Sequence, residues 1–344
     1  MKKVYKSIFY ILVAAALISC AKIVSESANE ANRRYLEAWM SIKHPGVQAS
    51  GLGIYVLDSQ DGEGELVKKD GYVIAEFTTT DLENNISGYT SKEVAKQLGT
   101  YDTTTYYGPQ VWLTTDETIQ AGLQDALVGS RVGAKKTVVI PSWLMTYEKY
   151  SSAAEYFKNE ADYSNTIYSF EIVDFTTDIN TWQIEKMKEY MAECHGGTET
   201  FVEDTTGFYF KRLSETTGKE KDFPSDTTIY INYTGKLLNG LVFDTNIERV
   251  AWDNGLHNST STYEPVKITW ASSYNEITMG SDASSVISGF ALTLWNMKNL
   301  GEEGKYDKAI GVFYSPLGYG YSGSGSSIPP YAPLIFEIEI VAEP

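Results

Sequence analysis

Two stretches of this sequence echo one another in the same order, about 155 residues apart, and that echo limits the architecture more than any other feature. A helix is predicted over Ala28 to Ile42, where Tyr35, Leu36, Trp39 and Met40 recur at helical spacing and His44-Pro45-Gly46 ends it. A second helix is predicted over Trp182 to Cys194, with a stripe of Ile184, Met187, Tyr190 and Met191 and a stop at His195-Gly196-Gly197. Gly53-Ile54-Tyr55-Val56 parallels Gly207-Phe208-Tyr209-Phe210. Val73-Ile74-Ala75-Glu76-Phe77-Thr78 parallels Ile229-Tyr230-Ile231-Asn232-Tyr233-Thr234, and Ser169-Phe170-Glu171-Ile172 parallels Ile335-Phe336-Glu337-Ile338. These segments alternate as strands do. A period this long means two globular units rather than a solenoid.

Each unit carries one further predicted helix inside its run of strands, Glu117 to Val128 in the first and Ser285 to Met297 in the second. A strand follows each, Thr137 to Ile140 and Ala309 to Tyr314. Strands on both sides of a single helix predict an α+β fold, an antiparallel sheet wrapped over that helix. Two long connections, Ser142 to Thr166 and Thr245 to Glu264, are predicted as loops, and loops of such length in a compact domain are usually functional or mobile.

The residue inventory excludes several function classes. Lys plus Arg is 28 against 45 Asp plus Glu, a formal charge of −17, so no basic face is expected for nucleic acid. Three His and two Cys rule against a zinc or iron–sulfur site and against a disulfide framework, and no cofactor is expected. The 25 Tyr lean toward strands and aromatic surfaces.

The first residues read as an export signal. Lys2, Lys3 and Lys6 precede an apolar run from Ile8 to Ile18, too short for a membrane span, and Leu17-Ile18-Ser19-Cys20 resembles a bacterial lipobox. The resemblance implies cleavage before Cys20, lipidation of Cys20, and a membrane partner through that lipid. Removing three lysines with residues 1–19 takes the formal charge to −20. Ala21, rather than Asp, points to the outer membrane of a Gram-negative bacterium, with the face left open. Cys194 is then the one remaining thiol, expected as a structural group near a helix end.

In the second unit, Ile231-Asn232-Tyr233-Thr234-Gly235-Lys236-Leu237-Leu238-Asn239-Gly240 is followed by Val242-Phe243-Asp244. Val286-Ile287-Ser288-Gly289-Phe290 comes next, then Gly318-Tyr319-Gly320, then Ile328-Pro329-Pro330-Tyr331-Ala332-Pro333-Leu334-Ile335-Phe336-Glu337-Ile338. These pieces, in this order, resemble the FKBP-type peptidyl-prolyl cis-trans isomerase family and cover most of residues 207–341. The resemblance implies a half-barrel sheet curled over a short helix, with an apolar pocket between them. It implies catalytic roles for Tyr233, Phe243, Asp244, Ile287, Phe290, Tyr319 and Phe336, and substrate-binding roles for Val286, Ile328 and Val266. Phe290 stands where the family most often has Trp, and Val266 replaces a pocket Phe.

The first unit departs further from the family. Phe77 stands in place of Tyr233, Ile86-Ser87-Gly88-Tyr89 in place of the Phe-Asp pair, and Gly122-Leu123 in place of Gly289-Phe290. The Gly-Tyr-Gly loop is replaced by Ser142 to Thr166, whose Tyr147, Tyr150, Tyr156, Phe157 and Tyr163 are expected to be exposed. The expected organisation is a lipoprotein signal peptide (1–19), a tether (20–27), a degenerate FKBP-like domain (28–175) and an isomerase domain with its leading helix (182–344). The expected partners are proline-containing polypeptides. The alternative is a chaperone or assembly lipoprotein that holds peptides without turnover.

Overall fold

The computed structural model describes residues 27–159 and 162–344. The signal peptide and Cys20 lie outside the described residues. The first unit runs α1 (Ala28–Lys43), β1 (Tyr55–Gln60), β2 (Tyr72–Thr80), β3 (Ile86–Tyr89), α2 (Lys92–Leu98), β4 (Gln110–Leu113), α3 (Ala121–Leu127), β5 (Lys135–Ile140), α4 (Ala153–Lys158) and β6 (Thr166–Thr176). The second runs α5 (Ile179–His195), β7 (Val202–Thr205), β8 (Phe208–Arg212), β9 (Thr228–Leu237), β10 (Val242–Thr245), α6 (Glu248–Asp253), β11 (Val266–Thr269), β12 (Thr278–Met279), β13 (Ser284–Ser285), α7 (Ser288–Trp295), β14 (Lys308–Phe313) and β15 (Leu334–Val341).

The duplication is topological as well as sequential. The first sheet has the order β1-β5-β6-β2-β3, with β4 also on β2. In the second, β8-β14-β15-β9 repeats that order, with β10 and β11 both on β9, and β7, β12 and β13 extend its edges. Every pairing is antiparallel. The chain is therefore α+β, two half-barrels of one topology, each with a short helix on its concave face.

One equivalence needs correction. Tyr168 pairs with Thr79 and Val138 as Phe336 pairs with Gly235 and Gly311. Tyr168, and not Phe170, is thus the structural counterpart of Phe336. A slip of two residues leaves alternation unchanged, so periodicity alone has no power to detect it.

The leading helices are equivalent in their contacts. Ser27 and Glu30 form a reciprocal capping box on α1, and Asp178 caps α5 through the N–H groups of Asn180 and Thr181, which starts that helix ahead of the expected Trp182. Asn32 Nδ2 donates to Ser142 Oγ at 3.0 Å, and Gln183 Oε1 accepts from the Ser315 N–H at 2.7 Å. Each serine opens the 3-10 turn that follows the strand next to the centre of its sheet. Four residues further along, Leu36 and Met187 are fully buried. Met187 and Met191 cover the convex face of the second sheet with Tyr209, Ile310, Val312 and Ile335. Cys194, in the last turn of α5, is exposed rather than packed, contrary to expectation.

Both long connections carry structure. The segment 142–166 holds a 3-10 turn and α4, and Tyr156 is buried while Tyr150 and Phe157 pack on the core. Of its six aromatics, Trp143 included, only Tyr147 and Tyr163 are exposed. Its aromatic residues mainly close the core, because the sheet end would otherwise be open to water. Likewise, α6 occupies the start of 245–264, at the place α2 holds in the first unit.

The inner helices are shorter than periodicity predicted, and one glycine at each start sets their distance from the sheet. A Cβ on Gly289 would lie 2.3 Å from the Phe313 ring, and one on Gly122 would lie 2.3 Å from Ile140 Cγ2. Gly289→Ala is expected to lower the unfolding free energy of the second unit by about 1–3 kcal/mol through overpacking. Denaturant melts followed by circular dichroism check this; an unchanged midpoint contradicts the close approach.

Candidate functional site

The pocket region of the second unit grows from three strands and one helix. Strand β9 presents Ile229, Ile231, Tyr233 and Leu237 to the concave face, where all four are buried. Phe336 on the neighbouring β15 lies directly across from Gly235. The missing side chain at Gly235 leaves room for two rings: a Cβ there would meet Phe243 at 2.6 Å and Phe336 at 3.0 Å. Phe336 is the hub, with ring centroids 5.0 Å from Phe290, 5.6 Å from Phe243, 5.9 Å from Phe313 and 6.2 Å from Tyr233. The Phe290 and Phe243 contacts are edge-to-face, an arrangement the ring quadrupoles favour.

A bulge brings the carboxylate to these rings. Val242 pairs with Lys236 and Asp244 with Gly235, so Phe243 is the extra residue on β10. Such a bulge re-aims side chains, and here consecutive Phe243 and Asp244 both serve one region. Tyr233 donates its hydroxyl to Asp244 Oδ2 at 3.0 Å. Asp244 reaches solvent at the rim, yet the protein packed around it partly desolvates the carboxylate and raises its pKa, while the bonds donated by Tyr233 and by the Thr245 N–H act in the opposite direction. Burial, then the Asp244 charge, push the Tyr233 phenol well up. Tyr319 is 37% exposed, and its phenol is raised first by burial and then by Asp244.

The remaining expected residues share this apolar cluster. Ile328 is buried, and Val286, Ile287 and Val266 are partly buried against the core. Ile287 is the N-cap of α7, and no side chain caps that helix end. Val266 lies on β11 opposite Ile231.

Asn246 escaped the sequence reading. It is buried and accepts the Tyr233 N–H at 2.7 Å, while its amide donates to the carbonyls of Ile231 at 2.9 Å and Glu264 at 3.0 Å. It thus ties β9, the bulged strand and the end of the 245–264 segment together behind Tyr233. Two residues beyond the Phe-Asp pair, a buried-amide role leaves no periodic trace. Thr90 does the same work in the first unit, accepting the Phe77 N–H at 3.0 Å.

The counterpart region of the first unit lacks these polar groups. Thr79 pairs with Gly88, and the register shift leaves Ser87 as the extra residue. Ser87 and Gly88 therefore stand where Phe243 and Asp244 stand, Phe77 where Tyr233 stands, and Leu123 where Phe290 stands. The two units also touch. The Tyr106 N–H donates to the Ser326 carbonyl at 2.9 Å, Thr105 Oγ1 to Ser326 Oγ at 3.3 Å, and Tyr72 meets Tyr331 edge-on at 5.4 Å.

A curved antiparallel sheet, a short helix on its concave face, and an aromatic cluster with a solvent-exposed carboxylate beside tyrosines define a small half-barrel in which apolar rings meet a polar edge. Residues 219–341 match the family model described as FKBP-type peptidyl-prolyl cis-trans isomerase. An FK506-binding protein of Neisseria meningitidis serogroup B is 32% identical over 135 residues, 39% of this chain and 94% of that protein. A probable FKBP-type peptidyl-prolyl cis-trans isomerase of Haemophilus influenzae is 32% identical over 127 residues, 37% of this chain and 39% of that protein. The macrophage infectivity potentiator of Trypanosoma cruzi is 28% identical over 137 residues, 40% of this chain and 53% of that protein. The chain thus spans well under two thirds of the Haemophilus and Trypanosoma proteins. It belongs to the FKBP-type peptidyl-prolyl cis-trans isomerase family.

Proposed function

We propose that the second unit isomerises X–Pro bonds in exported polypeptides while a lipid on Cys20 holds the chain to a membrane. The observation that carries the catalytic reading is the Phe336-centred ring cluster with the Tyr233–Asp244 pair at its edge. Rotation about an X–Pro bond faces a barrier of about 18–20 kcal/mol from amide resonance. The twisted amide has lost conjugation and is less dipolar than the planar one. An apolar, water-excluding pocket therefore disfavours the planar form relative to the twisted one. Phe243, Phe290, Phe336, Val286, Ile287 and Ile328 enclose the proline ring, with Val266 further along the same face. Asp244, Tyr233 and Tyr319 form the polar wall along which the carbonyl turns, a fixed electrostatic field that need not reorganise during rotation. The uncapped start of α7 leaves the Ile287 backbone N–H to hold a substrate carbonyl.

Among the described residues of the first unit, Phe77 and Gly88 stand in the places of Tyr233 and Asp244, so the phenol–carboxylate pair is missing and the turnover is assigned to the second alone. Measuring exchange rates of X–Pro peptides with the full chain tests this reading. Acceleration that Asp244→Ala reduces supports it; a folded wild-type chain without any acceleration leaves a peptide-holding chaperone instead.

The anchor rests on the order Leu17-Ile18-Ser19-Cys20 after a basic start. Ala21 supports an outer-membrane destination. Cys20→Ser is expected to move most of the protein from the membrane fraction to the soluble fraction on cell fractionation. Unaltered partitioning contradicts the anchor.

A further inference from the structure

We propose that the cavity between the two units is a second subsite, which takes an uncharged aromatic or large apolar side chain of the same polypeptide whose proline occupies the second unit's pocket. The proposal rests on the isomerase reading above. The cavity measures about 490 Å³, within the ~300–1,000 Å³ range of small-ligand sites. Phe77, Trp112, Tyr147 and Tyr168 line it from the first unit, and Tyr321 and Tyr331 from the second.

Three observations select the occupant. The first is chemistry. Among the described residues no charged side chain lines the cavity. The rings of Phe77 and Trp112 lie 4.8 Å apart at 38°, and Tyr168 meets Trp112 edge-on at 6.3 Å. The polar groups at its edge are neutral, among them Gln120, whose amide is already given to the Tyr147 hydroxyl at 3.0 Å. A charged group would lose hydration here with no opposite charge to pair with it, whereas a ring or branched apolar side chain fits.

The second is position within the first unit. Phe77, Leu123 and Tyr168 occupy the places that Tyr233, Phe290 and Phe336 hold in the second unit, so this is the first unit's own concave pocket, without the phenol–carboxylate pair. It has kept the part that holds an apolar group and lost the part that would turn an amide.

The third is continuity with the other pocket. Tyr319 belongs to the second unit's site, and Tyr321, two residues on, belongs to the cavity. Two residues span at most ~7 Å of backbone. Tyr321 is 76% exposed and so available to a passing chain. The opposite wall is held in place: Tyr331 has the left-handed φ of 60°, its N–H donates to the Gly320 carbonyl at 3.0 Å, and its ring rests on Tyr72. A non-glycine residue kept in that region is strained, and such strain persists where surrounding contacts over-determine it. An extended client leaving the proline pocket reaches the cavity within about three to five residues.

The test uses the full-length chain and three kinds of peptide: a short X–Pro tetrapeptide, longer peptides with Phe four residues before or after the proline, and the same longer peptides with Ser at that position. Wild type is expected to show a KM at least about fivefold lower for a Phe peptide than for its Ser partner, on one side of the proline or the other, with kcat little changed. Tyr321→Ala and Tyr147→Ala, at exposed rim positions outside the proline pocket, should each shrink that advantage to under about twofold while leaving tetrapeptide turnover unchanged. No Phe advantage on either side, or an advantage that survives both substitutions, overturns the subsite. If wild type turns over none of the peptides, the isomerase reading fails; anisotropy titrations of the labelled Phe and Ser peptides then decide the subsite separately, by the same difference and the same two variants.

Discussion

Phe336→Ala is expected to destabilise the second unit by about 3–5 kcal/mol and to abolish turnover with it. Phe336 is 4% exposed and its ring contacts Tyr233, Phe243, Phe290 and Phe313. Truncation loses the transfer energy of a ring and leaves a hole that four large rings cannot all move to fill. Domains of this size are stable by only about 5–15 kcal/mol, so the loss is a large share of the total. A urea titration should show a lowered midpoint with the slope retained. Phe336→Leu keeps most of the volume, and should fold while binding proline peptides more weakly. A midpoint equal to wild type for the alanine variant would show that the ring cluster does not hold the pocket together.

Asp244→Ala should behave in the opposite way, lowering kcat/KM at least tenfold, about 1.4 kcal/mol of transition-state stabilisation, without loss of fold. The electrostatics give the sign. Partial desolvation raises the pKa of Asp244 in the folded chain above its ordinary 3.8, so folding favours the protonated form. Ionising this group thus works against the fold as pH rises through the folded-state value, and its contribution to stability is greatest below the unfolded-state value. Because the Asp244 carboxylate also reaches solvent, screening keeps its cost to the fold at neutral pH small. Asp244→Asn is therefore expected to melt at or slightly above the wild-type temperature while turning over substrate more slowly. The wild-type rate should fall in acid with a midpoint above 3.8, a limb the asparagine variant lacks. Tyr233→Phe removes a hydrogen bond that lowers the Asp244 pKa and should move that midpoint to higher pH. A pH-independent wild-type rate between neutrality and pH 4 contradicts the role of this carboxylate.

Much of the second unit was legible because its determinants are local. Strand alternation over Ile229–Thr234, the glycine at the start of the inner helix and the Phe243-Asp244 pair are each written within a few residues, and the structure brings Tyr233, Phe243, Val266, Val286, Ile287, Phe290, Ile328 and Phe336 into one apolar cluster with Asp244 hydrogen-bonded at its edge. The segment 142–166 was misread because its rings carry no period: Tyr156 is buried by what lies across from it, not by its neighbours in sequence. Asn246 was missed for a related reason, since three of its bonds run to β9 and to Glu264, and nothing in the spacing of a lone asparagine announces them.

The sequence by itself determined the duplication, the α+β class, the two leading helices and the chemical kinds of residue at the second unit's pocket, because helix and strand periods and glycine placement act over short stretches of chain. Tertiary structure decided what depends on backbone pairing and on contacts between distant segments. It placed Tyr168 rather than Phe170 opposite Thr79, a choice between two registers that present the same face. It used a bulge to put Phe243 and Asp244 at one site. It set the loop bearing Tyr319, Tyr321 and Tyr331 against the first unit, where hydrogen bonds span more than 200 residues of sequence and a cavity lined by both units appears. Such contacts arise only when the chain has closed on itself, so no local pattern encodes them.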